Sequence, residues 1–168
     1  MTRSPGAAPG VAGPAARLLL ALERHGWTVA VAESLTGGLV AASLVDVPGA
    51  SRALRGGIVA YATDLKASLL DVDAGLLEAR GAVDPDVAAS MAEGVRLRLA
   101  ADVGLATTGV AGPDPQDGKA PGTVYVAVAG PGLAHVARVD VAGDRAEVRA
   151  QACAAVIALA LAHLDPAG

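Results

Sequence analysis

TVAVAESLTGGLVAASLV, residues 28–45, decides the fold. Its first five residues, TVAVA, are apolar and rich in valine, with no polar face. That pattern predicts a short strand buried on both sides. GLVAASLV, 38–45, predicts a helix that starts at once. Between them, Glu33 to Gly38 must turn the chain sharply, and the paired glycines make that turn accessible. A buried strand feeding straight into a helix is the start of a βα unit, which implies a parallel sheet covered on both faces.

The same alternation extends in both directions. An apolar stripe over 15–24, ended by Gly26, predicts a first helix. GIVAYA (57–62) predicts a second strand, and 64–70 and 74–80 predict short helices. Asp84-Pro85 is a cap followed by a first-turn proline, opening a helix to about residue 100. A third buried strand is predicted over 103–107, then a long turn-rich loop over 109–122. The runs 123–129 and 133–141 predict a hairpin across Gly130-Pro131-Gly132. Asp144 caps a last helix to about residue 163. The order α-β-α-β-α-α-β-β-β-α predicts an α/β fold: a three-layer α/β/α sandwich with a mixed, mostly parallel sheet.

The 168 residues are 53 % apolar and 18 % charged, which suits one domain with a real core rather than a disordered chain. With no Phe, one Trp and two Tyr, that core must be built from Ala, Val, Leu and Ile. The net charge of −4 and the lack of a basic run argue against a nucleic-acid surface. The opening 1–14 stretch, rich in Pro, Gly and Ala, reads as a flexible tail before one domain over 15–168. LLLAL (18–22) is short and runs into Glu23 and Arg24, so it does not read as a signal peptide, and a cytoplasmic location is expected. The apolar run 152–164 is short for a membrane span and reads as a buried helix. It holds the single cysteine, Cys153, which reads as a small buried hydrophobe.

Ligands of open α/β sheets gather beyond the carboxyl ends of the strands. Three loops are predicted to meet there: 33–38, 62–66 and 107–112. All carry Gly, Ser, Thr or a charged residue. Ser34 reads either as a nucleophile on a turn or as part of an anion cradle built from Thr36, Gly37 and Gly38 at a helix start. The stretch fits neither the dinucleotide fingerprint nor the phosphate-binding loop of nucleotidases, and it is not a nucleophile elbow. Lys66, one of two lysines, follows Tyr61 by five residues across a strand end. A partly buried lysine loses basicity and can deprotonate a serine; the alternative is a solvated residue at a helix start. His25, His135 and His163 show no metal-ligand spacing, so no metal is expected, and a serine deprotonated by a lysine requires no cofactor. Arg145 sits in the first turn of the last helix, against the helix dipole, which fits either an anion-binding role or an ordinary surface arginine.

Taken together, AESLTGG (32–38), PGASRALRGGIVAYATDLK (48–66), GAV (81–83), TTGVAGP (107–113), PGTVYVAV (121–128) and GDR (143–145) resemble the CinA C-terminal domain family, the nicotinamide-nucleotide amidohydrolases. The match covers nearly everything after the tail and looks like the stand-alone form. The resemblance implies hydrolysis of the carboxamide of nicotinamide mononucleotide to nicotinate mononucleotide and ammonia, in pyridine-nucleotide recycling. It implies that Ser51 is the nucleophile, helped by Lys66 and Tyr61. It further implies substrate-positioning or support roles for Ser34, Thr108, Gly109 and Arg145, with the TGG turn and Arg145 as the candidate phosphate seats. The expected partner is this small nucleotide, not nucleic acid or membrane, and relatives suggest a homodimer. The family pattern has Ser after GAV where this chain has Asp84, read here as a helix cap. The runner-up reading is a non-catalytic nucleotide-binding or competence-associated module on the same fold.

Overall fold

The computed structural model describes residues 13–165, so most of the expected tail lies outside the described residues. Helix α1 (Pro14–His25) opens on a proline at its first position and closes on Gly26, whose φ of 68° is the left-handed conformation glycine adopts without strain. Strand β1 (Val29–Glu33) leads into helix α2 (Leu39–Val45). A single 3-10 turn, Ala50–Arg52, then precedes β2 (Leu54–Val59). Helices α3 (Thr63–Leu70), α4 (Ala74–Arg80) and α5 (Pro85–Arg98) precede β3 (Val103–Gly109). The hairpin β4 (Thr123–Gly130) and β5 (Leu133–Asp140) leads to α6 (Arg145–Leu164).

The sheet order is β2-β1-β3-β4-β5. β1 pairs in parallel with both β2 and β3, whereas β4 runs antiparallel to β3 and to β5. Four of the five strands therefore point the same way, as the α/β reading expects, and β4 alone is reversed. β2 lies three residues upstream of its predicted position. Ala60 is buried and its amide still bonds to the Glu33 carbonyl, whereas Tyr61 and Ala62 have left the sheet to line a cleft.

Each internal strand feeds two cores. Val29 and Val31 join Leu18, Leu22, Val40, Val148 and Val156 on the side of α1, α2 and α6. Ala30 and Ala32 join Val87, Met91 and Leu70 on the side of α3 and α5. The small alanines let α5 lie close against the sheet. A second close approach brings α5 to the end of α3: a Cβ at Gly94 would sit 1.9 Å from the Leu70 carbonyl oxygen. That contact fixes the helix carrying Lys66. Asp84 caps α5 by accepting from the Asp86 amide, and Asp144 and Glu147 close a reciprocal capping box on α6. α6 is long and apolar enough to cross a membrane by length and composition. It lies instead across the sheet, with Val148, Ala152, Val156 and Ala160 buried in the core.

Candidate active site

The carboxyl ends of β1, β2 and β3 open onto a cleft of about 560 Å³. Ser34 comes from the turn after β1, Tyr61 to Thr63 from the end of β2, and Gly109 to Gln116 from the loop after β3. β5 points the same way as these strands, so α6 begins at the same end and brings in Arg145.

Lys66 lies beneath this cleft, 1 % exposed. Its Nζ reaches three oxygens: Ser34 Oγ at 3.0 Å, the Ala60 carbonyl at 2.8 Å and the Tyr61 carbonyl at 3.3 Å. Burial lowers its pKa from 10.5 to about 8, against the opposing pull of the Asp117 and Asp64 carboxylates. A charged ammonium fills all three bonds with three donors. The neutral amine has only two N–H groups, which suit the two carbonyls, so its lone pair is left facing the Ser34 hydroxyl.

The turn that presents Ser34 is held from both sides. Glu33, 1 % exposed, turns its carboxylate onto the start of α2 and accepts from the amides of Gly38 (2.9 Å), Val40 (3.1 Å) and Ala41 (2.8 Å). From α6, Arg149 donates to the carbonyls of Leu35 (3.0 Å) and Thr36 (2.9 Å). Neither residue was singled out in the sequence. The signals were present: Glu33 is a carboxylate just before a glycine-opened helix, and Arg149 lies four residues beyond Arg145, on the same helix face.

Several expected site residues are placed differently. The anion that occupies the Gly37-Gly38 helix start is the chain's own Glu33, so those amides are not free for a phosphate. Thr36 is fully buried, and its hydroxyl pairs with that of Thr107 at 2.7 Å. Thr108 is also buried, and donates to the Ala82 carbonyl at 2.6 Å. Gly109 lines the cleft, where a side chain would meet the Thr123 carbonyl oxygen at 2.7 Å. Ser51 is exposed in the 3-10 turn before β2 and lines a separate groove with Val45, Pro48 and Leu54. Because β1 and β2 are parallel, Ser51 and Ser34 lie at opposite ends of the sheet, on the order of 15 Å apart by strand rise. The pairing of Ser51 with Lys66 within one chain is therefore corrected: the serine that Lys66 touches is Ser34.

Tyr61 and Arg145 do meet. Arg145 donates to Tyr61 Oη and to the Gly112 carbonyl, both at 2.8 Å, across the cleft mouth. The loop on the far side is better ordered than its sequence suggested. Gln116 and Lys119 pair as a minimal hairpin around Asp117-Gly118, both with positive φ. The Asp117 carboxylate accepts from the Ala82 amide at 2.8 Å and ties that hairpin down.

A family model described as the CinA C-terminal domain matches residues 10–164. The chain belongs to the CinA C-terminal domain family. A CinA-like protein of Frankia casuarinae is 57 % identical over 132 residues, 79 % of this chain and 30 % of that protein. One from Gloeobacter violaceus is 53 % identical over 125 residues, 74 % of this chain and 29 % of that protein. The chain thus spans about a third of the length of these curated relatives. Among solved structures, a CinA superfamily protein from Klebsiella pneumoniae matches with a TM-score of 0.86 at 32 % identity, covering 90 % of this chain and 95 % of that one. One from Enterobacter cloacae gives 0.86 at 28 % identity, covering 98 % and 100 %. The α/β sandwich is therefore the CinA fold.

Proposed function

We propose that this CinA-family domain hydrolyses the carboxamide of nicotinamide mononucleotide, releasing ammonia and nicotinate mononucleotide, with Ser34 as nucleophile and Lys66 as its base. The observation that carries the reading is the bonding of Lys66 Nζ to Ser34 Oγ, Ala60 O and Tyr61 O. A serine needs a base to attack an amide, and a desolvated lysine supplies one without a histidine. Lys66 takes the Ser34 proton as Oγ attacks the carbonyl carbon, then gives it to the departing ammonia. Water enters by the reverse route and frees the acid.

The rest of the cleft suits such a substrate. α3 opens onto it with Ala62 at its cap and no side-chain bond to its first turn, a favourable end for developing negative charge. Arg145 uses two of its five donors on Tyr61 and Gly112, leaving three for a phosphate. Ammonia release from nicotinamide mononucleotide, its riboside and free nicotinamide tests this reading. The mononucleotide is expected to be turned over best. No release from pure wild-type protein would reject the enzyme, and equal turnover of all three would reject the phosphate contact.

A further inference from the structure

Lys66 has no direction left in which to activate a water while Ser34 is free. It is 1 % exposed, and its three bonds end on Ala60, Tyr61 and Ser34. Hydrolysis at this site must therefore pass through an ester on Ser34 Oγ. Once Ser34 is acylated it has no proton, and Lys66 turns to whatever nucleophile occupies the place the ammonia left. That place lies in the open cleft, whose volume of about 560 Å³ the acyl group and the incoming nucleophile share. Its nearby walls include the apolar side chains of Leu35, Val110, Ala111 and Pro113. By microscopic reversibility, a position that expels a neutral amine also accepts one.

We propose that the Ser34–Lys66 site is also an acyltransferase, passing the acyl group of its amide substrate to small uncharged amine nucleophiles in place of water. The proposal rests on the amidase reading above. In the first half, Ser34 Oγ bonds to the carbonyl carbon, its proton goes to Lys66 Nζ, the C–N bond breaks, and ammonia leaves with that proton. In the second half, the amine nitrogen bonds to the same carbon and its proton goes to Lys66. The ester C–O bond breaks and Ser34 recovers its proton. The sum is amide plus amine giving substituted amide plus ammonia, with no change of oxidation state.

Hydroxylamine is the probe. Wild-type protein is incubated with nicotinamide mononucleotide and increasing hydroxylamine at neutral pH, and ammonia, acid and hydroxamate are quantified together. The ratio of hydroxamate to acid is expected to double with each doubling of hydroxylamine. Hydroxamate is expected to fall to the uncatalysed background in Ser34→Ala and to persist in Ser51→Ala. Ammonia and acid with no hydroxamate above the Ser34→Ala background would overturn the transfer and leave the amidase standing. No ammonia under any condition would overturn both, and the two failures are told apart by the ammonia signal.

Discussion

Replacing Lys66 with methionine keeps the volume and removes the charge, so it isolates what burying an ammonium costs this fold. A pKa displaced from 10.5 to about 8 corresponds to about 3 kcal/mol of destabilisation when both folded and unfolded chains hold the proton. Folded Lys66 loses its proton near pH 8, whereas the unfolded chain keeps it to about 10.5. Between those values the unfolded state binds more protons, so wild-type stability gains from this residue as pH rises. The penalty is complete below about pH 8 and has fallen to about 1 kcal/mol by pH 10. Against this relief, Lys66→Met would leave the buried Ala60 carbonyl without its donor, at about 1–3 kcal/mol. At pH 7 the variant is therefore expected to equal or exceed wild type, by about 0–2 kcal/mol. By pH 10 the difference should have moved about 2–3 kcal/mol against the variant. Urea unfolding of both proteins at matched pH measures it, and taking the difference cancels the titration of every shared group. A difference that stays flat from pH 7 to 10 would refute a depressed lysine and, with it, the base assigned to Ser34.

The same pKa shapes activity: kcat/KM for ammonia release should rise about tenfold from pH 7 to 9 and then level, as the neutral amine becomes the major form. A profile flat across that range would contradict it. Glu33→Ala strips three amides of their acceptor, and the expected loss is about 3 kcal/mol. A thermal melt should register that as a fall of about 6–12 °C. Gly94→Ala forces α5 off the Leu70 carbonyl, at about 1–3 kcal/mol by urea unfolding. The displaced α3 carries Lys66, so ammonia release by the folded protein should fall as well; unchanged turnover would show that α3 does not set the geometry of the base.

Most of the architecture was legible because strand and helix patterns alternate cleanly and buried valine runs mark both-sided strands. Helix ends were legible where their chemistry is local, as at Gly26, Asp84-Pro85 and Asp144. The edge strand β2 was misplaced because Arg55 and the following glycine pair carry no strand pattern, while the apolar run continues past the strand end through the buried Ala60 to Tyr61 and Ala62 at the cleft. The convergence of the 33–38, 62–66 and 107–112 loops followed from strand direction alone, whereas Arg145 was placed near them only by the family resemblance. What chain order could not reveal was which serine faces the lysine. Ser51 and Ser34 are both hydroxyls beside turns, and only parallel pairing of β1 with β2 puts them at opposite ends of the sheet. The helix start at Gly37-Gly38 read as an empty anion seat because Glu33 folds back onto it, a contact set by side-chain torsion and invisible to spacing.

The central claim is that Ser34, not Ser51, is the hydroxyl Lys66 activates. Ammonia release from nicotinamide mononucleotide by wild type, Ser34→Ala and Ser51→Ala tests it most directly. Ser34→Ala is expected to lose activity by about a thousandfold or more, the scale seen when a serine nucleophile is removed. Ser51→Ala is expected to stay within about threefold of wild type, since Ser51 lies in a separate groove. The opposite pattern, an active Ser34→Ala and a dead but folded Ser51→Ala, would contradict the account.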